Sequence, residues 1–314
     1  MNKTNFKKYI SYVKETKRTN IEDQYIEKDY FISLFLSTWQ KLKDTGKVSH
    51  LDKLIFKGGT LLARNYLDYP RISEDIDFTY EESNDLRKLE SKNKREKAIL
   101  QRIAPIIDDV KVICDRAKFV FDTNRKNRKY IIVRNSRAVY LLNIYYTSLI
   151  TGEEIPIKIE LNFLENVFHD CSEMTINNIV PQDLFLKSIG YDLLNIKLKK
   201  YPLDEVIIEK YRAVLTRDAL KERDVFDLYL INKSCKNVLK YDNNLIFEKI
   251  QSARMISPDL SNNLGKNCTL LHDNEFGDSD DDIRRLSLIE INEKNYEEFK
   301  NQLYDKLKEI CVIL

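Results

Sequence analysis

Phe56-Lys57-Gly58-Gly59-Thr60, followed by Arg71-Ile72-Ser73-Glu74-Asp75-Ile76-Asp77-Phe78, is the stretch that decides the fold. It reads as a strand, a Gly-Gly turn, a short helix and a second strand. Two glycines let the backbone approach a phosphate closely, and the free amides that open a helix can bind it. In a strand, alternate side chains share a face, so Asp75 and Asp77 point together while Ile76 and Phe78 point the other way. Two carboxylates that close repel each other unless a cation sits between them, and oxygen ligands suit Mg²⁺. A phosphate cradle beside metal-binding acids indicates nucleotide chemistry.

A third carboxylate is expected from a neighbouring strand. Glu160 is the candidate, because Ile157, Ile159 and Leu161 take one face of their run while Lys158 and Glu160 share the other. Lys158 is then available either to grip phosphate or to neutralise Glu160. The hydroxyls of Thr60 and Ser73 suit phosphate contacts or turn caps. Arg71 and Arg64 suit phosphate or an ion pair, and Glu74, on the opposite face from the aspartates, suits a structural role. Further on, Lys210, Arg217 and Asp224 recur every seven residues, which on one continuous helix lines a single face. That spacing alone fits a solvated charge stripe equally well.

The stretch from Gly58 to Phe78 resembles the first motif of the AbiEii/AbiGii toxin family of nucleotidyltransferases, found in type IV toxin–antitoxin systems and related to the polymerase-beta superfamily. Ile26-Glu27-Lys28-Asp29-Tyr30, Lys158-Ile159-Glu160-Leu161, Glu209-Lys210 and Arg223-Asp224-Val225-Phe226-Asp227-Leu228-Tyr229 are similar to further family signatures and follow in the family's order. The resemblance spans roughly residues 21 to 231. It implies transfer of a nucleoside monophosphate from an NTP to an acceptor hydroxyl, with RNA such as the tRNA 3′ end as acceptor, and growth arrest relieved by a cognate antitoxin. It also implies catalytic roles for Asp75, Asp77, Glu160, Lys158, Lys210 and Asp224. Nucleotide contacts fall to Gly58, Gly59, Thr60, Ser73 and Arg71. Mg²⁺ or Mn²⁺ is the implied cofactor, on Asp75, Asp77 and Glu160. Many relatives carry aspartate where this chain has Glu160, one methylene longer. Asp227, three residues beyond Asp224, is a candidate partner for Arg223.

The rest of the chain supports an α+β protein. Two helices are expected over residues 1–20, around Phe6, Tyr9, Ile10 and Val13, and over Ile21–Lys43, with Trp39 in its apolar stripe. Leu51–Phe56 reads as the first strand. A long helix follows over Asn84–Val110, broken near Pro105. Strands are expected at Ala117–Phe121, Tyr130–Val133, Val139–Tyr146 and Ile155–Leu161, and beyond about Pro181 the pattern is helical: Leu203–Leu220, Val225–Asn232, Leu245–Met255 and Tyr296–Ile310. This gives a nucleotidyltransferase domain with a mixed sheet over 1–170 and a helical domain over 171–314 that completes the active site.

Across 314 residues the net charge is only +2, so nucleic-acid affinity must come from local clusters such as Arg125, Lys126, Arg128 and Lys129, or Lys197, Lys199 and Lys200. Five cysteines, odd in number and without a C-x-x-C pair, argue for reduced thiols in a cytoplasmic protein rather than a disulfide framework or a zinc site. No run of about 18 apolar residues exists to cross a membrane. His50, His169 and His272 have no metal-ligand spacing, and Gly277 to Asp282 reads as an acidic loop. Neither a P-loop nor a Rossmann glycine pattern occurs. Two other readings use the same acids: a metal-dependent nuclease, and a non-catalytic RNA- or partner-binding module of the same fold. Against the first, Lys158 precedes Glu160 and Asn162 follows it, whereas such nucleases often place a lysine two residues after the acid. The intact set of three acids argues against the second.

Overall fold

Strand alternation carries over directly into packing. In the computed structural model of the protein, which describes residues 1–135, 137–255, 258–275 and 283–313, Ile76 and Phe78 are buried on one face of their strand and the aspartates sit on the other. Seven strands form one mixed sheet in the order β3-β4-β5-β2-β1-β7-β6. They are β1 (Leu54–Lys57), β2 (Asp75–Tyr80), β3 (Ile131–Arg134), β4 (Val139–Thr147), β5 (Glu154–Asn162), β6 (Ser172–Ile176) and β7 (Ile196–Lys200). At its centre β2 runs antiparallel to β1 and parallel to β5.

Among the described residues, six helices come before or between the strands: α1 (Lys3–Lys17), α2 (Asp23–Lys43), α3 (Gly58–Leu61), α4 (Ser83–Lys88), α5 (Lys92–Ala117) and α6 (Leu184–Ser188). The remaining six follow the last strand: α7 (Leu203–Thr216), α8 (Glu222–Ser234), α9 (Asn243–Arg254), α10 (Pro258–His272), α11 (Ile283–Leu286) and α12 (Glu293–Ile313). Helix α2 covers the apolar face of the sheet: Trp39 meets Phe78 edge-on and Phe31 stacks on Tyr146 at 3.9 Å. Each such fully buried side chain contributes about 1.5–3 kcal/mol. The four apolar residues expected to anchor α1 are all buried. Among the described residues, no helix is long and apolar enough to cross a membrane.

Several local expectations are corrected. The break in the 84–117 region lies between α4 and α5, and α5 runs through Pro105. One lost backbone hydrogen bond is outweighed by the stripe Ile99, Ile103, Ile106, Ile107 and Val110 packed into the core. Ala117–Phe121 is no strand: Ala117 ends α5 behind a left-handed Lys118, and Val120 makes only an isolated bridge to Tyr145. Residues 50–53 are a 3-10 turn rather than the start of β1. The sheet continues past residue 170 through β6 and β7, in a region read as helical beyond Pro181. Ile196, Leu198 and Lys200 alternate with exposed lysines, but the run is too short and too basic to stand out. Cysteines expected to be free thiols include a bonded pair: Cys268 and Cys311 form a disulfide across α10 and α12, a meeting of residues 43 apart in sequence that spacing does not reveal. Cys114, Cys171 and Cys235 are free. The expected acidic loop at Gly277–Asp282 lies outside the described residues.

Candidate active site

Parallel pairing of β2 with β5 sets the chemistry, because its register places Asp75 opposite Lys158 and Asp77 opposite Glu160. With alternation on both strands, the four side chains project from one face. On the other side of β2, Lys57 pairs with Asp77. Directly after it comes Gly58, at φ +77°, where a Cβ would sit 2.1 Å from an Asp77 carboxylate oxygen. A Cβ on Gly59 would likewise lie 2.7 Å from the Arg71 guanidinium and 3.1 Å from the Ser73 hydroxyl. The two glycines therefore let the turn close onto the acids, an arrangement no side chain would permit.

That contact gives a direct test. Gly152 has a similar φ of +82°, but nothing lies within 4 Å of its missing Cβ. Gly152→Ala is expected to cost only the backbone term, about 1–2 kcal/mol, with transfer intact. Gly58→Ala is expected to lose transfer as well, by about 10²-fold, because it displaces Asp77. Equal activity in the two variants, measured per folded molecule, would separate the turn from the chemistry.

A cleft of about 460 Å³ opens over this face, walled by β2 and β5 on one side and by α7 and α8 on the other. Among the described residues, eight basic and five acidic side chains line it. The local excess of positive charge exceeds that of the whole chain and suits a polyanionic ligand. Asp75, Asp77, Glu160, Lys158, Lys210 and Asp224 all face the cleft, as do Gly58, Gly59, Arg71 and Ser73. Thr60 does not: it is buried, and its hydroxyl donates to the Asp75 carbonyl, bracing the acid strand from behind.

Burial, then the nearby Glu160 and Asp75 carboxylates, push the Asp77 carboxyl up to about 7. Lys158 stands 3.8 Å from Asp75, so its nearest acid is Asp75 rather than Glu160. Among the described residues no group of three or more His, Cys, Asp and Glu is placed to hold a metal ion by itself. Mg²⁺ in nucleotide enzymes generally takes one or two carboxylates and completes its shell with phosphate oxygens and water. Asp75, Asp77 and Glu160 fit that hard, oxygen-rich donor set, and the repulsion that raises Asp77 is what a divalent cation relieves.

The helical wall is not the continuous helix on which a spacing of seven would line one face. Helix α7 stops at Thr216 and α8 starts at Glu222, so the residues spaced by seven meet through a turn between two helices. Lys210 lies 2.7 Å from Asp224 and 2.6 Å from Asp227, and Arg217 reaches Asp224 at 3.2 Å. Asp227 takes Arg71 rather than Arg223, in a two-pronged buried pair with both distances 2.7 Å. Burial opposes ionisation of Asp224, but Lys210 and Arg217 outweigh it and bring the carboxyl down to about 2. Asp227 is held low in the same way by Arg71 and Lys210. The Arg71–Asp227 pair thus ties the β1–β2 connection to the helical wall.

The 26–30 signature performs three separate anchoring tasks around this frame. Glu27 accepts from the Ser148 hydroxyl and the Leu149 amide at the β4–β5 turn. Lys28 holds Glu74 at 3.0 Å, and Asp29 holds Arg64 at 2.7 Å in a buried pair away from the cleft. Lys57, Arg134, Arg212 and Leu260 also line the cleft without having been assigned a role in the sequence, as do Glu209 and Arg223 from the later signatures. Lys57 is buried between Glu165 and Glu209, at 3.3 and 3.2 Å. A usable signal existed for the α7 members: Glu209, Lys210 and Arg212 interrupt an otherwise apolar, buried helix. The second basic cluster is not a surface patch, because Lys200 is buried on the Tyr66 ring and Lys199 pairs with Glu81.

Residues 41–309 match the family described as "Nucleotidyl transferase AbiEii toxin, Type IV TA system". No curated protein matches the sequence. Among solved structures, the chain is similar to MenT4, a nucleotidyltransferase toxin from Mycobacterium tuberculosis, with 15% identity, a TM-score of 0.52, and coverage of 96% of this chain and 89% of that one. JHP933 from Helicobacter pylori aligns at 14% identity and a TM-score of 0.42, over 93% and 95% of the two chains.

Proposed function

The chain belongs to the AbiEii family of nucleotidyltransferase toxins of type IV toxin–antitoxin systems, and from that premise we propose that it joins a nucleoside monophosphate to a hydroxyl of an RNA acceptor, such as a tRNA 3′ end. The observation that carries this reading is the shared face of Asp75, Asp77 and Glu160 on adjacent strands, closed by a glycine turn that touches Asp77. The acceptor oxygen bonds to the α-phosphorus of the NTP, the bond to the bridging oxygen breaks, and pyrophosphate leaves with its electrons. The hydroxyl proton passes to the carboxylate face.

Asp75, Asp77 and Glu160 would hold Mg²⁺ or Mn²⁺, which when bound neutralises the triphosphate and activates the hydroxyl. The residues of the chain do the positioning. Gly58 and Gly59 bring backbone amides to the phosphates, and Ser73 adds a hydroxyl. Lys158 faces the β2 acids from β5. Lys210, gripped by Asp224 and Asp227, presents a fixed positive charge on the opposite wall. Family membership supplies an NTP substrate and a cognate antitoxin as partners, and growth arrest is the proposed outcome of transfer. NTP and RNA substrates place the reaction in the cytoplasm.

Incubation of the protein with each labelled NTP, Mg²⁺ and total cellular RNA tests the reading. Label is expected on RNA from one preferred NTP. Label on protein, or on neither, would overturn the RNA acceptor. Within the site, Glu160→Gln is expected to lower transfer by about 10²-fold or more and to weaken its dependence on Mg²⁺. Glu74→Gln, which breaks only the partly exposed pair with Lys28, is expected to change transfer less than about threefold. A reversal of the two would place the functional acid on the other face of the sheet.

A further inference from the structure

A second hollow, of about 510 Å³, adjoins the cleft and shares Arg212, Arg217 and Leu260 with it. We propose that this hollow seats the terminal nucleotide of a single-stranded RNA acceptor, and this rests on the transfer reading above. An attacking hydroxyl must reach the α-phosphate from a site bordering the nucleotide cleft, and the hollow opens across the Arg212–Arg217 wall. Its volume is in the range of small-ligand pockets.

The lining indicates the class of ligand. Arg212 is mostly buried. Among the described residues its Nε has no hydrogen-bond partner, and its ion pair to Glu209 is loose at 4.0 Å. The buried Nε is shut off from solvent, but the outer guanidinium nitrogens, held among the described residues only by that loose pair, are left for a phosphate or a base edge. Across the hollow, Asn262 presents an amide, the side-chain type that reads base edges by paired hydrogen bonds. Asp218 and Asp259 are exposed carboxylates that can accept from ribose hydroxyls, the groups that mark RNA. Among the described residues, Leu260 is the one apolar contributor. A polypeptide acceptor would call for a larger apolar anchor, so the hydrogen-bonding walls favour a nucleotide.

The wall is also firmly built. Asn263 donates to the Thr216 carbonyl at 3.1 Å, while the buried Asn267 donates to the Leu215 and Arg217 carbonyls at 2.8 and 2.9 Å. Helix α10 thereby caps the C-terminal end of α7 and fixes the turn that carries Arg217.

The test uses the full chain and a fluorescent short single-stranded RNA, with binding followed by anisotropy. Asn262 is exposed, so Asn262→Trp, which fills the hollow, and Asn262→Asp, which adds negative charge, are both compatible with folding. Each is expected to weaken RNA binding by about tenfold, the scale of one good base contact, and to raise the RNA concentration needed for transfer. NTP affinity, measured alongside, distinguishes this from damage to the cleft. RNA affinity within about twofold of wild type in both variants would overturn the hollow as acceptor site. If the unmodified protein labels RNA and the variants do so equally well, only the hollow falls. If it labels a protein hydroxyl and binds no RNA, both the acceptor reading and the hollow fall.

Discussion

Asp77→Asn is expected to lower nucleotidyl transfer by about 10²–10³-fold, the scale of removing one strong electrostatic contributor, while making the metal-free protein more stable above neutral pH. The two effects share one cause. Burial and the neighbouring Glu160 and Asp75 raise the Asp77 carboxyl from 3.8 to about 7. A carboxyl whose folded value lies above its unfolded value binds its proton more tightly when folded. Stability of the metal-free chain therefore falls as pH rises from about 4 through about 7, by at most a few kcal/mol for a side chain that retains some solvent contact. Asparagine carries no charge, so this fall disappears in the variant. Melting temperatures measured across that window without metal, and then with Mg²⁺ at about pH 8, separate the contributions. Wild type is expected to gain more from Mg²⁺ than Asp77→Asn does. Equal gains, or near-normal transfer in a folded Asp77→Asn protein, would remove Asp77 from the site.

The same residue shows what a sequence can disclose. Gly58-Gly59, the alternation at Asp75 and Asp77, and the matching parity of Lys158 and Glu160 are local features with period two, and the structure keeps all of them on one face. Their common origin is geometric: strand parity survives whatever the rest of the chain does. Partner choice is different. The spacing of Lys210, Arg217 and Asp224 fits one helix, yet the chain turns at residues 217–221 and reaches a similar convergence by packing α8 against α7. Arg71 meets Asp227 across 156 positions, and Arg212 enters the cleft because α7 docks against the acid face. Such pairings depend on tertiary packing, and no local period encodes them. The same holds for β7, whose five residues become a strand by pairing in parallel with β1, and for the disulfide between α10 and α12.

Lys210 and Asp227 occupy one charged cluster, yet their removal is expected to weigh differently on transfer and on stability. In Lys210→Met, Asp224 keeps Arg217 at 3.2 Å and Asp227 keeps the two-pronged contact with Arg71. Asp224 loses its hydrogen bond from Lys210, and its other oxygen has no hydrogen-bond partner among the described residues, so a stability loss of about 1–3 kcal/mol is expected even though the methionine fills most of the volume. Transfer is expected to fall by about 10²-fold or more, because the cleft loses the positive charge opposite the carboxylates. In Asp227→Ala the balance reverses. Arg71 loses both of its short carboxylate contacts while its side chain stays buried, and Lys210 keeps only Asp224. Breaking a buried pair from one side typically costs about 3–5 kcal/mol. The β1–β2 connection that carries Arg71 is also freed from the helical wall, so transfer should fall along with stability. Chemical denaturation and single-turnover transfer on the two variants test the contrast. A large stability loss in Lys210→Met with normal turnover per folded molecule would make Lys210 a purely structural cation. A fully stable Asp227→Ala protein would show that the Arg71 pair does not hold the two walls together.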